Sequence, residues 1–337
     1  MDVYKKRVEL SLEEYVEGVR SNNRAVLARA ITLVESNAAR HFSMAQDVLT
    51  SVIPQTGNSI RIGITGVPGA GKSTFIEAFG LKLAEQGHRV AVLAVDPSSS
   101  LSQGSILGDK TRMDQLSRHP NAFVRPSPAG GNLGGVARKT RETLLLCEAA
   151  GYDIIMVETV GVGQSEVTVR SMVDCFIVLM LTGAGDELQG MKKGIMEMVD
   201  IMLINKADGT NRQAAEQAKV EFKRMFHMLP SVTEGWETEI DTVSALTGRG
   251  ISECWETIER FHQHMKNTQQ FELRRKEQAT NWFHSLLEEQ ILKRFYDYPF
   301  IKSQLPDVKK DVLLGKSSAT RAVSLLLQEY EQKIYNN

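Results

Sequence analysis

The sequence is poor in cysteine and has no long hydrophobic run. Its three cysteines, Cys147, Cys175 and Cys254, lie far apart and show no paired spacing, which argues against a disulfide framework and against a thiolate metal site. Isolated cysteines of this kind fit a reducing cytoplasm. The longest strongly apolar run, residues 175–181, is far shorter than the ~20 residues of a membrane helix, and no apolar signal core follows the N-terminus. We therefore expect a cytoplasmic protein that does not span a membrane.

The sequence also lacks an excess of either charge. Lysine and arginine total 40, aspartate and glutamate total 41, and the formal net charge is −1. A chain this close to neutral has no broad electrostatic attraction to nucleic acid or to an anionic membrane, and we expect neither as a partner. Hydrophobic residues at 42% and charged residues at 24% are typical of a globular protein with a sizeable core. The length of 337 residues predicts one large domain with helical additions.

Residues 1–54 carry helical signals only, and we predict that they form an N-terminal helical arm. Ser11 and Glu14 have the spacing of a capping box. Apolar residues recur behind them at roughly helical spacing, and Pro54 ends the last segment because proline does not continue a helix interior. The arm is either a layer packed on the main domain or a partner-binding element, and the two readings are compatible.

Residues 55–266 alternate between strand and helix signals. Seven strands are predicted, at residues 61–65, 89–95, 122–125, 153–158, 175–181, 201–205 and 240–243. Helices are predicted at residues 72–86, 136–150, 212–228 and 251–266. Strand–helix alternation, with near-continuous apolar runs such as residues 154–157, predicts an α/β fold in which a mostly parallel sheet is covered by helices on both faces.

Residues 267–337 are helical again, and we predict that they form a C-terminal dimerisation region. Two predicted helices, at residues 271–296 and 319–334, carry apolar stripes. The stripes consist of Leu286, Leu287, Ile291, Leu292, Val323, Leu326, Leu327 and Tyr330. They exceed what the sheet domain needs to cover itself, so a two-fold homodimer is the simplest way to bury them. The alternative is that both helices fold back onto the main domain.

The clearest motif follows the first predicted strand and precedes a predicted helix. It fits the pattern G-x-x-x-x-G-K-[ST] and consists of Gly66, Val67, Pro68, Gly69, Ala70, Gly71, Lys72, Ser73 and Thr74. Glycines let such a loop wrap around phosphate oxygens, while backbone N–H groups and the helix N-terminus supply positive potential. We expect Lys72 to reach the β- and γ-phosphates of a nucleotide and the Ser73 hydroxyl to bind Mg²⁺. The sequence therefore predicts a P-loop NTPase domain.

A second motif indicates the base of the nucleotide. Asn205, Lys206 and Asp208 form the pattern N-K-x-D directly after an apolar strand. A carboxylate at position 208 accepts hydrogen bonds from guanine N1–H and the 2-amino group, which adenine does not offer. Alone, the tetrad could be a solvated loop end, but its place in a P-loop domain favours guanine recognition. The loop that contacts the guanine O6 through backbone N–H groups is assigned to Ser244, Ala245 and Leu246.

The segment from Glu158 to Gly161 lies between these two motifs. It stands where small GTPases have D-x-x-G, so we expect Glu158 to act on Mg²⁺ through a water molecule and the Gly161 N–H to contact the γ-phosphate. The next residue is Val162, where Ras-like enzymes carry the glutamine that orients the attacking water, and Gln164 is not at that offset. We therefore expect slow intrinsic hydrolysis that a partner or a loop rearrangement must complete.

Four further segments carry a family resemblance. They are residues 96–100, 109–113, 158–166 and 185–194, which read DPSSS, DKTRM, ETVGVGQSE and GDELQGMKKG. With the P-loop and N-K-x-D, they resemble the MeaB/ArgK/MMAA GTPases, which are G proteins that attend adenosylcobalamin-dependent methylmalonyl-CoA mutase. The resemblance covers nearly the whole chain. It implies a slow GTPase that binds GTP or GDP with Mg²⁺, has methylmalonyl-CoA mutase as its partner, forms a homodimer, and serves cofactor loading, protection or assembly of that mutase. Cobalamin itself belongs to the partner, because this chain has no D-x-H-x-x-G motif.

The resemblance also implies a set of magnesium ligands. Asp96 and Asp109 would join Ser73 and Glu158 around Mg²⁺, and Asp109 would lie in the first switch segment. The position of Asp96, directly after a predicted strand, agrees with ligand binding at the carboxyl edge of an α/β sheet, although aspartate before Pro97 also starts turns.

A third switch segment, residues 183–193, is implied by the same resemblance and would relay the nucleotide state to the mutase. Lys192 and Lys193 then stabilise phosphate charge or contact the partner, unless they are simply a solvated pair. The catalytic residues implied in total are Lys72, Asp109, Glu158 and Lys192.

Three other functions fit the P-loop. A nickel-insertion GTPase would have a His-rich tract or clustered cysteines, whereas the seven histidines here are scattered. A kinase linked to amino-acid transport would use ATP, which N-K-x-D argues against. A nucleotide-gated scaffold without catalysis would bind GTP but not turn it over.

Overall fold

The computed structural model describes residues 9–95, 113–126, 133–159, 165–183 and 193–335. The chain divides into two compact units, Met1–Arg274 and Arg275–Asn337. The limits predicted for the three parts of the chain, at residues 54 and 266, stay a prediction.

The first unit begins with three helices, α1 (Leu12–Arg20), α2 (Arg24–Val34) and α3 (Ala39–Val52). The predicted capping box is confirmed, because Ser11 Oγ accepts from the Glu14 N–H at 3.2 Å and Glu14 Oε2 accepts from the Ser11 N–H at 2.7 Å. The apolar faces of these helices join the hydrophobic core of the sheet. Polar contacts add to this, since Arg24 donates to the carbonyl oxygens of Ser117 and His119.

A parallel sheet of seven strands forms the centre of the first unit, which confirms the predicted fold class. The strands are β1 (Ile60–Gly66), β2 (Val90–Val95), β3 (Ala122–Arg125), β4 (Ile154–Thr159), β5 (Cys175–Met180), β6 (Ile201–Ile204) and β7 (Glu239–Thr242). Their spatial order is β3-β2-β4-β1-β5-β6-β7. The order turns at β1, where Ile62 lies opposite Met156 of β4 and Cys175 of β5. Ligands bind parallel sheets at the carboxyl ends of strands beside such a turn.

Helices cover both faces of this sheet. Those between the strands are α4 (Lys72–Glu85), α5 (Asp114–Arg118), α6 (Leu133–Ala149), α7 (Ser165–Arg170), α8 (Lys193–Met196) and α9 (Arg212–Phe226), and α10 (Ile251–Asn267) follows β7. The sequence predicted the four long ones but not α5, α7 or α8. A helix of four to six residues is too short to show a 3.6-residue apolar period.

The second unit contains most of α11 (Gln270–Asp297), together with α12 (Pro299–Leu313) and α13 (Ala319–Tyr335). The sequence predicted α11 and α13 but not α12, which contains two prolines. Pro299 lies at the first helical position, where a missing N–H costs nothing, and Pro306 lies inside the helix. Ile301 is buried, and the ring of Tyr330 contacts those of Phe295 and Tyr298 at centroid distances of 4.9 and 5.3 Å.

In the part of the chain that the structure describes, no helix combines the length and the apolar composition needed to cross a membrane.

A buried ion pair fixes the start of β1. Glu148 at the end of α6 accepts two hydrogen bonds from the Arg61 guanidinium, both 2.9 Å long, and one from the Gly57 N–H at 3.0 Å. Its side chain is 1% exposed. We expect Glu148→Ala to lower the free energy of unfolding in urea by about 3 kcal/mol, because a largely buried guanidinium loses its carboxylate.

The matched control is Glu239→Ala. Glu239 also bonds an arginine, Arg260, at 2.9 Å, but on the surface. Its loss should cost less than about 1 kcal/mol. Equal effects of the two substitutions would contradict the assignment of Glu148 as a buried anchor.

Candidate nucleotide-binding site

The P-loop, residues 66–74, connects β1 to α4, and two of its glycines are required by geometry. A Cβ on Gly66, which has φ +151°, would lie 2.3 Å from the Leu179 carbonyl oxygen of β5. Gly71 precedes α4 with φ +83°, and no described side chain caps that helix. The first N–H groups of α4 are therefore available to an anion such as a phosphate.

Lys72 holds its ammonium group against the P-loop. Nζ donates to the carbonyl oxygens of Gly66 at 2.9 Å and Val67 at 3.4 Å. Burial lowers the pKa of Lys72, and the negative charges of Glu158 and Glu166 oppose this shift. The site thus contains a half-buried cation that two carboxylates flank, at the place where the sequence predicts phosphate binding.

The two predicted magnesium ligands in the described part of the chain lie side by side. Ser73 Oγ donates to Glu158 Oε1 at 3.1 Å, which joins the first turn of α4 to β4. A hydroxyl and a carboxylate are hard oxygen ligands of the type that Mg²⁺ prefers. These two residues therefore fit the predicted metal.

Asn205 joins the P-loop to the base-binding loops. Its Nδ2 donates to the Ala70 carbonyl oxygen at 2.7 Å, and its Oδ1 accepts from the Ala245 N–H at 3.2 Å. The side chain is buried. A single amide thus fixes the distance between the loop that would hold phosphate and the loops that would hold the base.

Asp208 and Ser244 form the other polar contact of the base-binding loops. Ser244 Oγ donates to Asp208 Oδ2. The Ser244 N–H donates to the Arg249 carbonyl oxygen, and the Ala245 N–H donates to Asn205, whereas Leu246 is exposed. Two of the three N–H groups assigned to the guanine O6 therefore already have partners in this structure. Lys206, between the two acceptors of the motif, adopts a positive φ of +60°.

Four predicted site residues lie outside the described residues. They are Asp96, Asp109, Gly161 and Lys192. Their roles stay predictions that the family resemblance implies.

Glu166 is a site residue that the sequence reasoning missed. It lies in the first turn of α7 and is 1% exposed. Thr65 Oγ1 donates to Glu166 Oε1 over 3.5 Å and accepts from Thr159 Oγ1 at 2.7 Å. The available signal was an acidic residue at the end of the family segment 158–166, but nothing in the local pattern indicates that its side chain is buried beside the P-loop.

Together, the fold and these contacts define a P-loop NTPase whose base-binding loops are of the guanine type. Residues 27–299 match the family described as methylmalonyl Co-A mutase-associated GTPase MeaB. The GTPase ArgK of Escherichia coli (strain K12) is 44% identical over 326 residues, which cover 96% of this chain and 98% of that protein. The Mus musculus protein named methylmalonic aciduria type A homolog, mitochondrial, is 45% identical over 326 residues, which cover 94% of this chain and 79% of that protein.

One solved structure agrees with these relatives in fold and sequence. The crystal structure of a LAO/AO transport system kinase superposes with a TM-score of 0.78 at 37% identity, and covers 97% of this chain and 100% of that chain. The chain belongs to the MeaB family and is a GTPase. The family resemblance predicted from the sequence is therefore confirmed.

Proposed function

We propose that this GTPase binds methylmalonyl-CoA mutase and couples slow GTP hydrolysis to loading, protection or assembly of that enzyme. The observation that carries the proposal is the match of residues 27–299 to a family described as mutase-associated. The mouse relative, whose name refers to methylmalonic aciduria, supports it. We also propose the cytoplasm as its location, because the three cysteines are free and buried, as is usual where thiols stay reduced.

In this proposal the described residues divide the work on GTP. The N–H groups at the start of α4 and the Lys72 ammonium bind the phosphates, with Lys72 exchanging its carbonyl partners for phosphate oxygens. Asp208 accepts from the guanine ring, and Ser244 orients the carboxylate by donating to its other oxygen. Asn205 holds the P-loop and the base-binding loop at a fixed distance from each other.

Ser73 and Glu158 would hold Mg²⁺, together with Asp96 and Asp109 from the family resemblance. When bound, the metal supplies positive charge to the phosphate oxygens. The Ser73–Glu158 hydrogen bond of 3.1 Å already places the two oxygens of this pair together.

The test of the proposal is GTP turnover measured alone and with purified methylmalonyl-CoA mutase. Alone, we expect a rate well below ~1 s⁻¹, the lower end of typical enzyme turnover, because Val162 cannot orient a water molecule. With mutase, we expect co-sedimentation that differs between GDP and a non-hydrolysable GTP analogue, and a faster rate. A cobalamin-independent acyl-CoA enzyme serves as the control partner. Fast turnover without any partner, or no complex with mutase in either nucleotide, would contradict the proposal.

A homodimer formed by the C-terminal helices is part of the proposed function. Five apolar side chains of the predicted stripes are 44–57% exposed: Leu287, Ile291, Leu292, Val323 and Leu327. The other three are covered within the chain, since Leu326 is buried and Leu286 and Tyr330 are half-buried. Exposed leucine and isoleucine on two helices of one unit support burial against a second copy of the same unit.

Sedimentation at micromolar concentration tests the dimer. We expect the full chain to sediment as a dimer of 37.5-kDa protomers. The double variant Ile291→Glu, Leu327→Glu should sediment as a monomer that still binds GTP. Both positions are exposed in the protomer, so the introduced glutamates stay in water there and oppose only the dimer contact. The control is Lys309→Glu, at an exposed position on α12. A wild-type chain that sediments as a monomer would refute the dimer.

A kinase linked to amino-acid transport is the second function to test, because the solved relative is named a LAO/AO transport system kinase. Such a kinase would use ATP and transfer phosphate to an acceptor. The carboxylate of Asp208 favours guanine, so the nucleotide selectivity argued in the Discussion separates the two functions.

A further inference from the structure

Helix α7 carries a charged side chain at each end, the buried Glu166 at its start and the half-buried Arg170 at its last residue. Glu166 contacts Thr65 at the carboxyl end of β1, directly before the P-loop. Thr65 in turn contacts Thr159 at the end of β4. Both hydrogen bonds of Glu166 are long, 3.5 Å from Thr65 and 3.4 Å from Ser165. The negative charge of Glu166 also interacts with the ammonium group of Lys72 in the P-loop, as does that of Glu158.

The C-terminal charge of α7 is Arg170, which is held by a fully buried carboxylate. Arg170 donates to Asp200 through two guanidinium nitrogens, at 2.9 and 3.4 Å. The Asp200 side chain is 0% exposed. It also accepts from the Phe176 N–H of β5 at 2.9 Å and from Thr233 Oγ1 at 2.8 Å, so the carboxylate connects α7 to β5 and to the segment that follows α9.

The same carboxylate faces a second arginine, at the start of α11. Arg274 Nη1 lies 3.8 Å from Asp200 Oδ2, and its Nη2 donates to Thr233 Oγ1 at 2.7 Å. Arg274 also donates to the Asp174 carbonyl oxygen. Burial lowers the pKa of Arg274, and the charge of Asp200 opposes this shift. Asp200 therefore lies between the last residue of α7 and the first turn of α11.

In the Arg170–Asp200–Arg274 cluster, one side chain cannot easily shift while the other two stay in place. Water cannot replace a lost bond at a buried carboxylate, and an unpaired guanidinium in the interior is costly. A displacement of α7 would therefore move Arg170, Asp200 and Arg274 together, because packed and ion-paired interiors change between discrete arrangements rather than deforming gradually.

We propose that α7 transmits the nucleotide state from the P-loop to the first turn of α11, with Glu166 as the positioning residue at one end and the Arg170–Asp200–Arg274 cluster at the other. The proposal rests on the proposed GTP cycle. When phosphate oxygens pair with the Lys72 ammonium, that ammonium offsets less of the negative charge of Glu166. The phosphates also bring further negative charge close to Glu166. GTP and GDP differ in the negative charge that they bring near Glu166, so they favour different positions of α7. Arg170, the last residue of α7, then moves its partners Asp200 and Arg274.

The experiment is amide hydrogen exchange on the full-length protein, saturated with GDP or with a non-hydrolysable GTP analogue. In the wild type we expect protection of the amides of residues 274–277, which donate to the carbonyl oxygens of the first turn of α11, to differ between the two nucleotides by about fivefold or more, the lower end of typical coupling between sites. Glu166→Gln keeps the size and the acceptor oxygen but removes the charge, and should abolish this difference. Arg274→Met should abolish it as well, whereas Arg274→Lys, which keeps the positive charge, should retain part of it.

Coupling between sites is reciprocal, which provides a second readout. Arg274→Met should change the ratio of the affinities for the GTP analogue and for GDP, although Arg274 belongs to neither the phosphate-binding nor the base-binding loops. A purely structural role would lower the melting temperature and leave that ratio unchanged. The matched control is Asp241→Asn, since Asp241 pairs with Lys219 at 2.6 Å on an exposed surface. It should leave both the ratio and the exchange pattern as in the wild type.

The results separate a failure of the transmission through α7 from a failure of the proposed GTP cycle. If the wild type binds and hydrolyses GTP but shows the same exchange at α11 in both nucleotides, the transmission is refuted while the proposed function stands. The same holds if the nucleotide-dependent difference survives in Glu166→Gln, a variant whose uncharged side chain should favour folding at a buried position. If the wild type does not bind GTP, the proposed function fails and this inference fails with it.

Discussion

Lys72→Met should lower the rate of GTP hydrolysis by at least about 100-fold, the effect of removing one charge-stabilising group from a transition state. In the structure Nζ lies on the carbonyl oxygens of Gly66 and Val67, at the point where the P-loop closes on itself. A point charge there reaches the β- and γ-phosphates, where negative charge develops during transfer. Methionine keeps the length and packing of the side chain and removes only the charge. Single-turnover hydrolysis and the affinity for GTP measure the effect.

Loss of folding would not explain this result. Burial lowers the pKa of Lys72, which means that the site disfavours the charged ammonium relative to water. Removal of a charge that burial disfavours should not lower the melting temperature of the free protein. Lys82→Met is the matched control, because Lys82 lies in the last turn of the same helix, far from the P-loop. Turnover near the wild-type rate in Lys72→Met would remove the assignment of the P-loop.

Local patterns predicted most of this fold. Most strands of the sheet are short apolar runs between turn or helix signals, and β3 was predicted to the residue. The P-loop and N-K-x-D are equally local, because a few adjacent residues carry the chemistry. Ser73 and Glu158 could be paired in advance because the P-loop motif assigns Ser73 to Mg²⁺ and the comparison with D-x-x-G assigns Glu158 to the same ion.

The remainder depends on contacts between distant parts of the chain. Asn205 reaches Ala70 across 135 residues and Ala245 across 40, so its role as a bridge has no signature in the sequence. The same holds for Arg274, which reaches the Asp174 carbonyl oxygen across 100 residues from a helix that reads as an ordinary charged surface helix. The carboxylate of Asp200 is buried because residues 24 or more positions away in the sequence bond it. The hydrophobic periodicity of the sequence does not indicate this burial.

Asp208→Asn should weaken GTP binding by about 2 kcal/mol or more, roughly 30-fold, because two donors of the guanine ring lose a charged acceptor and are left without partners. The substitution preserves the local structure. Ser244 Oγ donates to one Asp208 oxygen, and an asparagine carbonyl oxygen can accept that same bond. The amide nitrogen then takes the place of the carboxylate oxygen that faces the base. Equilibrium titration with GTP, ATP and GDP measures the change.

The amide at position 208 also makes a positive prediction. Xanthine carries a carbonyl group where guanine has its 2-amino group, so a donor at position 208 matches xanthine and opposes guanine. Asp208→Asn should therefore bind xanthosine triphosphate more tightly than GTP, and the wild type should show the reverse order. Recovery of binding with the altered base separates a lost base contact from a damaged site, which no loss of affinity alone can do. If the wild type instead binds ATP as tightly as GTP, Asn205–Asp208 does not read the base, and the transport-kinase reading replaces the GTPase cycle proposed for this chain.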